Sequence, residues 1–359
     1  MTNPRFLFGS AIATLVFCCF MNSCSTTTTS IQALRPAAFA IPSHINTVAT
    51  VNRSIPKKNF INGLEGMATG ENLMQDRSGA ANATRGLSEA LTRTPRFNVK
   101  YTQVETANSD GLSMGMPMEW SEVNKICEAY STDAVAALEL LDSDTRYATK
   151  STVNKTKDSK GNDVTTTTYQ GRLDASVRIG WRLYDPKNKK IIDELVITEN
   201  IGWDSSGKTE QQALAELPPQ QAAIDQVCFA AGQKYGMRIA PTWIRIGREY
   251  YHKGSDEMKN AARKARSNQW QEAAKTWQPL TQSADKKIAQ RASYNMAVAC
   301  EVEGKLDLAK NWAKESWQKH GSKKARTYYH QLCDRSLQQK MVDDQMNGGK
   351  PKSKVKPAQ

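Results

Sequence analysis
The chain has 359 residues, a formal net charge of +13 and 39% apolar residues, enough length for two domains with sizeable cores. Four cysteines, Cys127, Cys228, Cys300 and Cys333, are spread over the last two thirds of the chain and form no CxxC pair. That spacing argues against a disulfide framework and against a zinc knuckle, so each reads as a small buried apolar residue.

In chain order, Arg5 precedes an apolar run over residues 6–21, too short to span a bilayer and of the length of a signal-peptide core. Then come Met21-Asn22-Ser23-Cys24. Ser23 supplies the small residue that cleavage before a cysteine requires. The segment resembles a lipobox with Met21 in the leucine position, which implies a signal peptide over 1–23 and a mature chain acylated on Cys24. The alternative is an ordinary secretory signal with incidental cysteines. Residues 24–43, rich in Ser, Thr, Ala and Pro, read as a tether. No acidic cluster follows Cys24, which favours a lipid-anchored, periplasm-facing place at the outer membrane.

Residues 44–250 mix strands and helices. Residues 46–52 suit a short strand, 79–92 a helix broken at Pro95, and 96–103 a half-buried strand alternating Phe97, Val99 and Tyr101. Residues 119–130 place Trp120, Val123, Ile126 and Cys127 on one helical face. The run 134–141 is apolar apart from Glu139, as a central strand would be. Val177, Ile179, Trp181 and Leu183 alternate with polar or small residues, residues 185–189 form a turn, and 191–198 return as the partner strand. The threonine-rich flanks 145–155 and 164–169 predict a separate hairpin before this one. Helical patterning resumes at Gln211 and over 219–235.

From Lys259 the pattern is helical. Asn268, Trp270, Ala273 and Trp277 recur 36 residues later as Gly304, Leu306, Ala309 and Ala313. This resembles tetratricopeptide repeats, and predicts a helical domain over 251–342; a plain helical bundle is the alternative. Trp270, Trp277, Trp312 and Trp317 are its candidate interaction residues. Residues 343–359, with Lys350, Lys352, Lys354 and Lys356, read as a disordered basic tail. The charge is lopsided: 26 Lys and Arg against 12 Asp and Glu over 231–359, and 22 against 24 over 24–230. Such a basic face can attract anionic envelope polymers such as peptidoglycan or lipopolysaccharide, or only keep a helical surface solvated. No nucleic-acid partner is expected.

Residues 202–209 match GxxxxGK[ST], with Gly202, Gly207, Lys208 and Thr209 in the defining positions. The preceding strand carries Asp193, Glu194 and Glu199, Asp204 would point a charge into a phosphate nest, and Pro218-Pro219 cut the following helix short. The structural reading is a turn at Gly207 and a capping box of Thr209 with Gln212. Nucleotide binding through these residues is the competing enzymatic reading. No HExxH, GxSxG or ligand-spaced carboxylates are present, so no metal, no cofactor and no catalytic set is expected.

The order of elements over 45–52, 87–101, 120–141 and 173–198 resembles the small α/β domain of TolB N-terminal domains, penicillin-binding-protein activators and curli-secretion lipoproteins. The whole chain resembles a Bacteroidetes lipoprotein family of unassigned function. That resemblance implies an α+β fold, a small α/β domain followed by tetratricopeptide-like helices, and a non-enzymatic role with envelope protein partners. The long amphipathic hairpins of a curli-type pore are not evident in the sequence.

Overall fold
A computed structural model describes residues 25–56, 70–109 and 113–347. The fold is α+β: strands and helices alternate in the first part, and five consecutive helices close the chain. Two compact units divide it, one formed by Met1–Ile31 with Gly247–Cys333 and the other by Gln32–Ile246 with Asp334–Gln359.

The sheet unit is built outward from apolar strands. β2 (Thr47–Pro56) lies parallel to β3 (Asn98–Ser109) on one side and to β4 (Ala134–Lys157) on the other. α1 (Gly70–Thr92) and α2 (Trp120–Tyr130) make the crossovers that parallel neighbours require. β5 (Asp163–Asp185) and β6 (Lys190–Gly207) then add antiparallel, giving the order β3-β2-β4-β5-β6. Their turn is fixed by Asp185, whose carboxylate accepts from the backbone and side-chain N–H groups of Asn188. Residues 134–141 are buried throughout. One face packs Leu138, Ile179 and Trp181 against Leu87 of α1 and against Val227 and Tyr235 of α4 (Gln220–Ile239). The other packs Val51, Val135 and Ala137 against Val123 and Ile126 of α2.

α1 and α4 touch backbone to backbone. A Cβ on Gly232 would lie 1.9 Å from the Ala83 carbonyl oxygen, and one on Gly86 would lie 2.2 Å from that of Phe229. Only glycine permits this approach. On the sheet side of α4, Tyr235 stacks on Trp181 with centroids 5.1 Å apart.

The hairpin expected over 145–169 is present, with its turn at 158–162, but it is not separate from the strands around it. Its flanks are the outer halves of β4 and β5, which pair without a break from Leu140–Gly180 to Lys157–Asp163. The hairpin is therefore long, with strands of 24 and 23 residues. It lacks an apolar band: Thr, Ser, Lys and Asn occupy both faces of its outer half. Threonine favours extended backbone without needing burial, so the strand outlives its hydrophobic pattern.

The expected tether is also structured. β1 (Thr26–Arg35) pairs with β7 (Thr242–Tyr251), and Ile31, Ala33, Ala37 and Ile41 are buried.

The helical unit contains α5 (Asp256–Arg266), α6 (Trp270–Leu280), α7 (Lys286–Val302), α8 (Leu306–Gln318) and the start of α9 (Lys323–Met346). The 36-residue recurrence is geometric as well as sequential. Asn268 and Gly304 both take left-handed backbone, with φ of 59° and 73°. Gln269 and Lys305 then enter α6 and α8 with φ/ψ of −90°/61° and −85°/64°. Ala273, Ala309 and Ala313 are fully buried. Helix α9 runs to Met346, inside the segment expected to be a tail, and residues 348–359 lie outside the described residues.

Gly232→Ala should destabilise the protein by about 2–3 kcal/mol, because backbone and not a flexible side chain must move. The thermal midpoint should fall by about 5–10 °C, readable by circular dichroism.

Candidate functional site
The phosphate-loop-like segment is extended strand followed by a helix cap. Gly202 pairs with Asp174 and Gly207 with Tyr169 in the β5–β6 ladder. Arg172 Nη1 donates to both carboxylate oxygens of Asp204, at 2.9 and 3.0 Å. The Thr209 hydroxyl accepts from Gln212 N–H at 3.1 Å and opens α3 (Glu210–Ala215), while Gln212 Oε1 accepts from Lys208 N–H at 3.0 Å. A phosphate cradle needs successive amides converging on an empty point. Here the ladder and the cap take those amides, and Asp204 sits on an arginine.

The tryptophans proposed for interaction are placed otherwise. Trp277 is fully buried and Trp270 is 6% exposed, both packed with Tyr250 in the core of the helical unit. Trp312 and Trp317 are half-buried against that core, Trp317 beside Tyr329 and His330. Their sequence spacing reports helix packing. Cys24 lies outside the described residues.

Sequence reasoning missed a buried ionic cluster in the sheet unit. Glu139 has no exposed surface, and Arg53 Nη1 donates to both its oxygens at 2.8 Å. The Tyr184 hydroxyl donates to Glu139 at 2.5 Å and accepts from Met118 N–H at 3.0 Å. Arg182 Nη1 lies 3.8 Å from the same carboxylate and donates to the Gly115 carbonyl at 2.7 Å. Burial and then the Glu139 charge push the Tyr184 phenol well above its ordinary value. Glu139 alone was visible as the polar break in an apolar strand; Arg53 is 86 residues away and carries no local signal.

Open clefts among the described residues include two at the surface. One, of about 540 Å³, lies on the β4–β5–β6 face and is lined by Thr149, Lys150, Gln170, Arg172, Asp204 and Ser206 among others. The second, of about 340 Å³, lies in the helical unit beside Arg248, Tyr294, Lys324, Tyr328 and Gln331. Its charges are internally matched. Buried Glu301 accepts from Arg248 Nε and Nη2 at 2.6 and 2.9 Å and from the Tyr328 hydroxyl at 2.6 Å. Lys324 pairs with Glu249 and stands over the Tyr251 and Tyr294 rings, 5.3 and 5.6 Å from their centroids. Among the described residues no three His, Cys, Asp or Glu side chains are placed to hold a metal, and no helix is long and apolar enough to cross a membrane.

The sequence profile of a domain of unknown function, DUF8603, matches residues 45–251, more than half of the chain. The chain belongs to the DUF8603 family. A second domain of unknown function, DUF6340, matches residues 259–337, the helical repeats. No curated protein matches in sequence. Among solved structures, a neuraminyllactose-binding hemagglutinin homolog from Helicobacter pylori is similar at 12% identity, covering 55% of this chain and 81% of its own, with a TM-score of 0.24.

Removing one partner of the buried cluster strands a charge. Arg53→Ala should therefore cost about 3–5 kcal/mol in denaturant unfolding.

Two carboxylates of the sheet unit contribute to the acid limb. Burial alone would raise both Asp133 and Asp185. The Asn46 and Thr47 N–H groups with the Thr47 hydroxyl hold Asp133 below the usual range, and His44 with Asn188 does so for Asp185. A depressed folded-state value means their stabilisation is complete above the ordinary carboxylate range and lost as pH falls through the folded values, below about pH 4. Asp133→Asn should flatten that limb of a stability–pH profile measured from pH 7 to 2.

Proposed function
We propose that the protein is a non-enzymatic envelope lipoprotein, acylated on Cys24 and facing the periplasm, whose sheet unit docks an envelope protein along the β4–β5 ribbon. The observation that carries the reading is the ribbon's bare edge. β2 leaves β4 after Leu138 and β6 leaves β5 at Tyr169, so among the described residues no strand covers β4 from 144 to 157 or β5 from 163 to 168 on their outer sides. There both faces are largely exposed, with Tyr147, Val153 and Val164 set among otherwise mostly polar side chains. A strand edge of this length is a template for an added strand, with backbone hydrogen bonds giving affinity and alternate side chains giving specificity. Lys150, Lys155 and Lys157 discourage promiscuous pairing and favour a partner strand carrying acidic residues.

Two experiments test this. Palmitate should label the wild-type chain and not Cys24→Ala, with the labelled protein in the outer-membrane fraction; equal labelling of both would remove the anchor. Replacing residues 150–170 by Asn-Gly joins Thr149 to its register partner Gly171 through a two-residue turn. Because the excised residues are almost all exposed, the thermal midpoint should stay within about 3 °C. Photocrosslinks formed in cells from position 153 mark the partner, and crosslinks to the same protein from the rest of the sheet unit should disappear in the trimmed variant. Their persistence would refute docking through the ribbon.

A further inference from the structure
Ser25 is already part of the folded helical unit. Its carbonyl oxygen accepts from His252 N–H at 3.2 Å, and the Thr26 hydroxyl donates to Glu249 at 3.3 Å. Only one peptide link, about 3.8 Å between Cα atoms, separates Ser25 from Cys24. Acyl chains on Cys24 would therefore hold the surface around His252 against the bilayer, with no slack to hold it away.

That surface is cationic. Lys253 follows His252 directly, and Arg291 Nη1 donates to the Lys253 carbonyl at 2.8 Å while its guanidinium lies over the Tyr251 ring, 5.2 Å from the centroid. Arg266 ends α5 and bonds the Tyr250 hydroxyl. His252 is held below its ordinary value first by burial and then by Lys253, Arg266 and Arg291, so every charge that acts on it is positive. Acidic residues in this stretch are Glu249, which pairs with Lys324, and Asp256 and Glu257 at the start of α5, where Asp256 pairs with Lys259 at 2.9 Å.

We propose that the face of the helical unit around Ser25, carrying Lys253, Arg266 and Arg291, docks anionic lipid headgroups and so sets the orientation of this unit on the membrane. Its placement rests on acylation of Cys24; its affinity for headgroups does not. The Debye length at physiological salt is about 8 Å, so such a contact weakens as salt is raised. Each basic residue at an anionic leaflet contributes about fivefold in partitioning.

The test uses the mature chain, residues 24–359, with Cys24→Ser so that no acyl group is present. It is sedimented with vesicles of phosphatidylcholine alone or with about 30% phosphatidylglycerol. Wild type should bind the anionic vesicles in a salt-dependent manner and ignore the neutral ones. Lys253→Glu with Arg266→Glu should lower partitioning at least tenfold, and if that pair melts early, Lys253→Glu alone should lower it at least fivefold. Truncation after Asn347, which removes the four terminal lysines, should leave the ratio between wild type and variant unchanged. Equal binding of wild type and variant, loss of all binding on truncation, or binding to neutral vesicles would each overturn the proposal. So would retention on purified peptidoglycan without retention on vesicles. Failed palmitate labelling would leave these outcomes as they are, and failed vesicle binding would leave acylation standing.

Discussion

Glu139 is a charge with no exposed surface, set in β4, the strand through which the parallel and antiparallel halves of the larger sheet are joined. A lone carboxylate there would be intolerable, and the rest of the unit is arranged so that it is not alone. β2 must lie beside β4 to deliver Arg53. β5 must pair in register to deliver Tyr184 and Arg182, and the backbone at 115–118 must fold over them to complete the bonds. Replacing the cluster with apolar residues could be neutral for stability, but losing one member could not. A requirement that four distant segments meet acts on register as much as on energy.

The same strand then changes character. Its first eight residues are buried on both faces, and from Asp142 outward it is exposed on nearly every residue. The transition falls where β2 stops covering its edge. What remains is a ribbon held by its own ladder and by threonine's preference for extended backbone, without a core beneath it. A structural strand has little need of such an extension. An edge that meets another chain does, and the proposed docking role follows from this contrast.

At the other end of the chain, acylation of Cys24 as proposed would join anchor and fold without a linker, because pairing already begins at Ser25. A flexible tether would let a lipoprotein sample many orientations. Pairing that begins at Ser25 removes that freedom and makes the chemistry of one surface consequential. The cationic residues there come from α5, α7 and the loop after β7, three segments with no common sequence motif. The matched charges of the Arg248–Glu301–Tyr328 cleft in the same unit are turned inward by comparison, and serve its packing.

How much could be read in advance depended on whether a feature is local. The buried strand at 134–141, the β5–β6 turn, the Thr209 cap and the 36-residue recurrence were legible, because each is written by neighbours within one turn or one pleat. The recurrence even carried its backbone, in the left-handed Asn268 and Gly304. The hairpin over 145–169 was legible from its threonine-rich flanks, but its continuity with the inner strands was not, because the ribbon has no buried face to impose alternation. The strand after Ser25 was misread as a tether because small and hydroxyl residues suit either. Trp270 and Trp277 looked like a surface and are core, since helical spacing states which face they share and not what covers it. The sequence by itself determined the class, most of the inner strands and helices, and the candidate anchor at Cys24. Only the tertiary structure decided that Arg53 reaches Glu139, that α1 and α4 meet at glycines, and that Lys253, Arg266 and Arg291 gather beside Ser25. Those are contacts between residues far apart in the chain, and no periodicity encodes them.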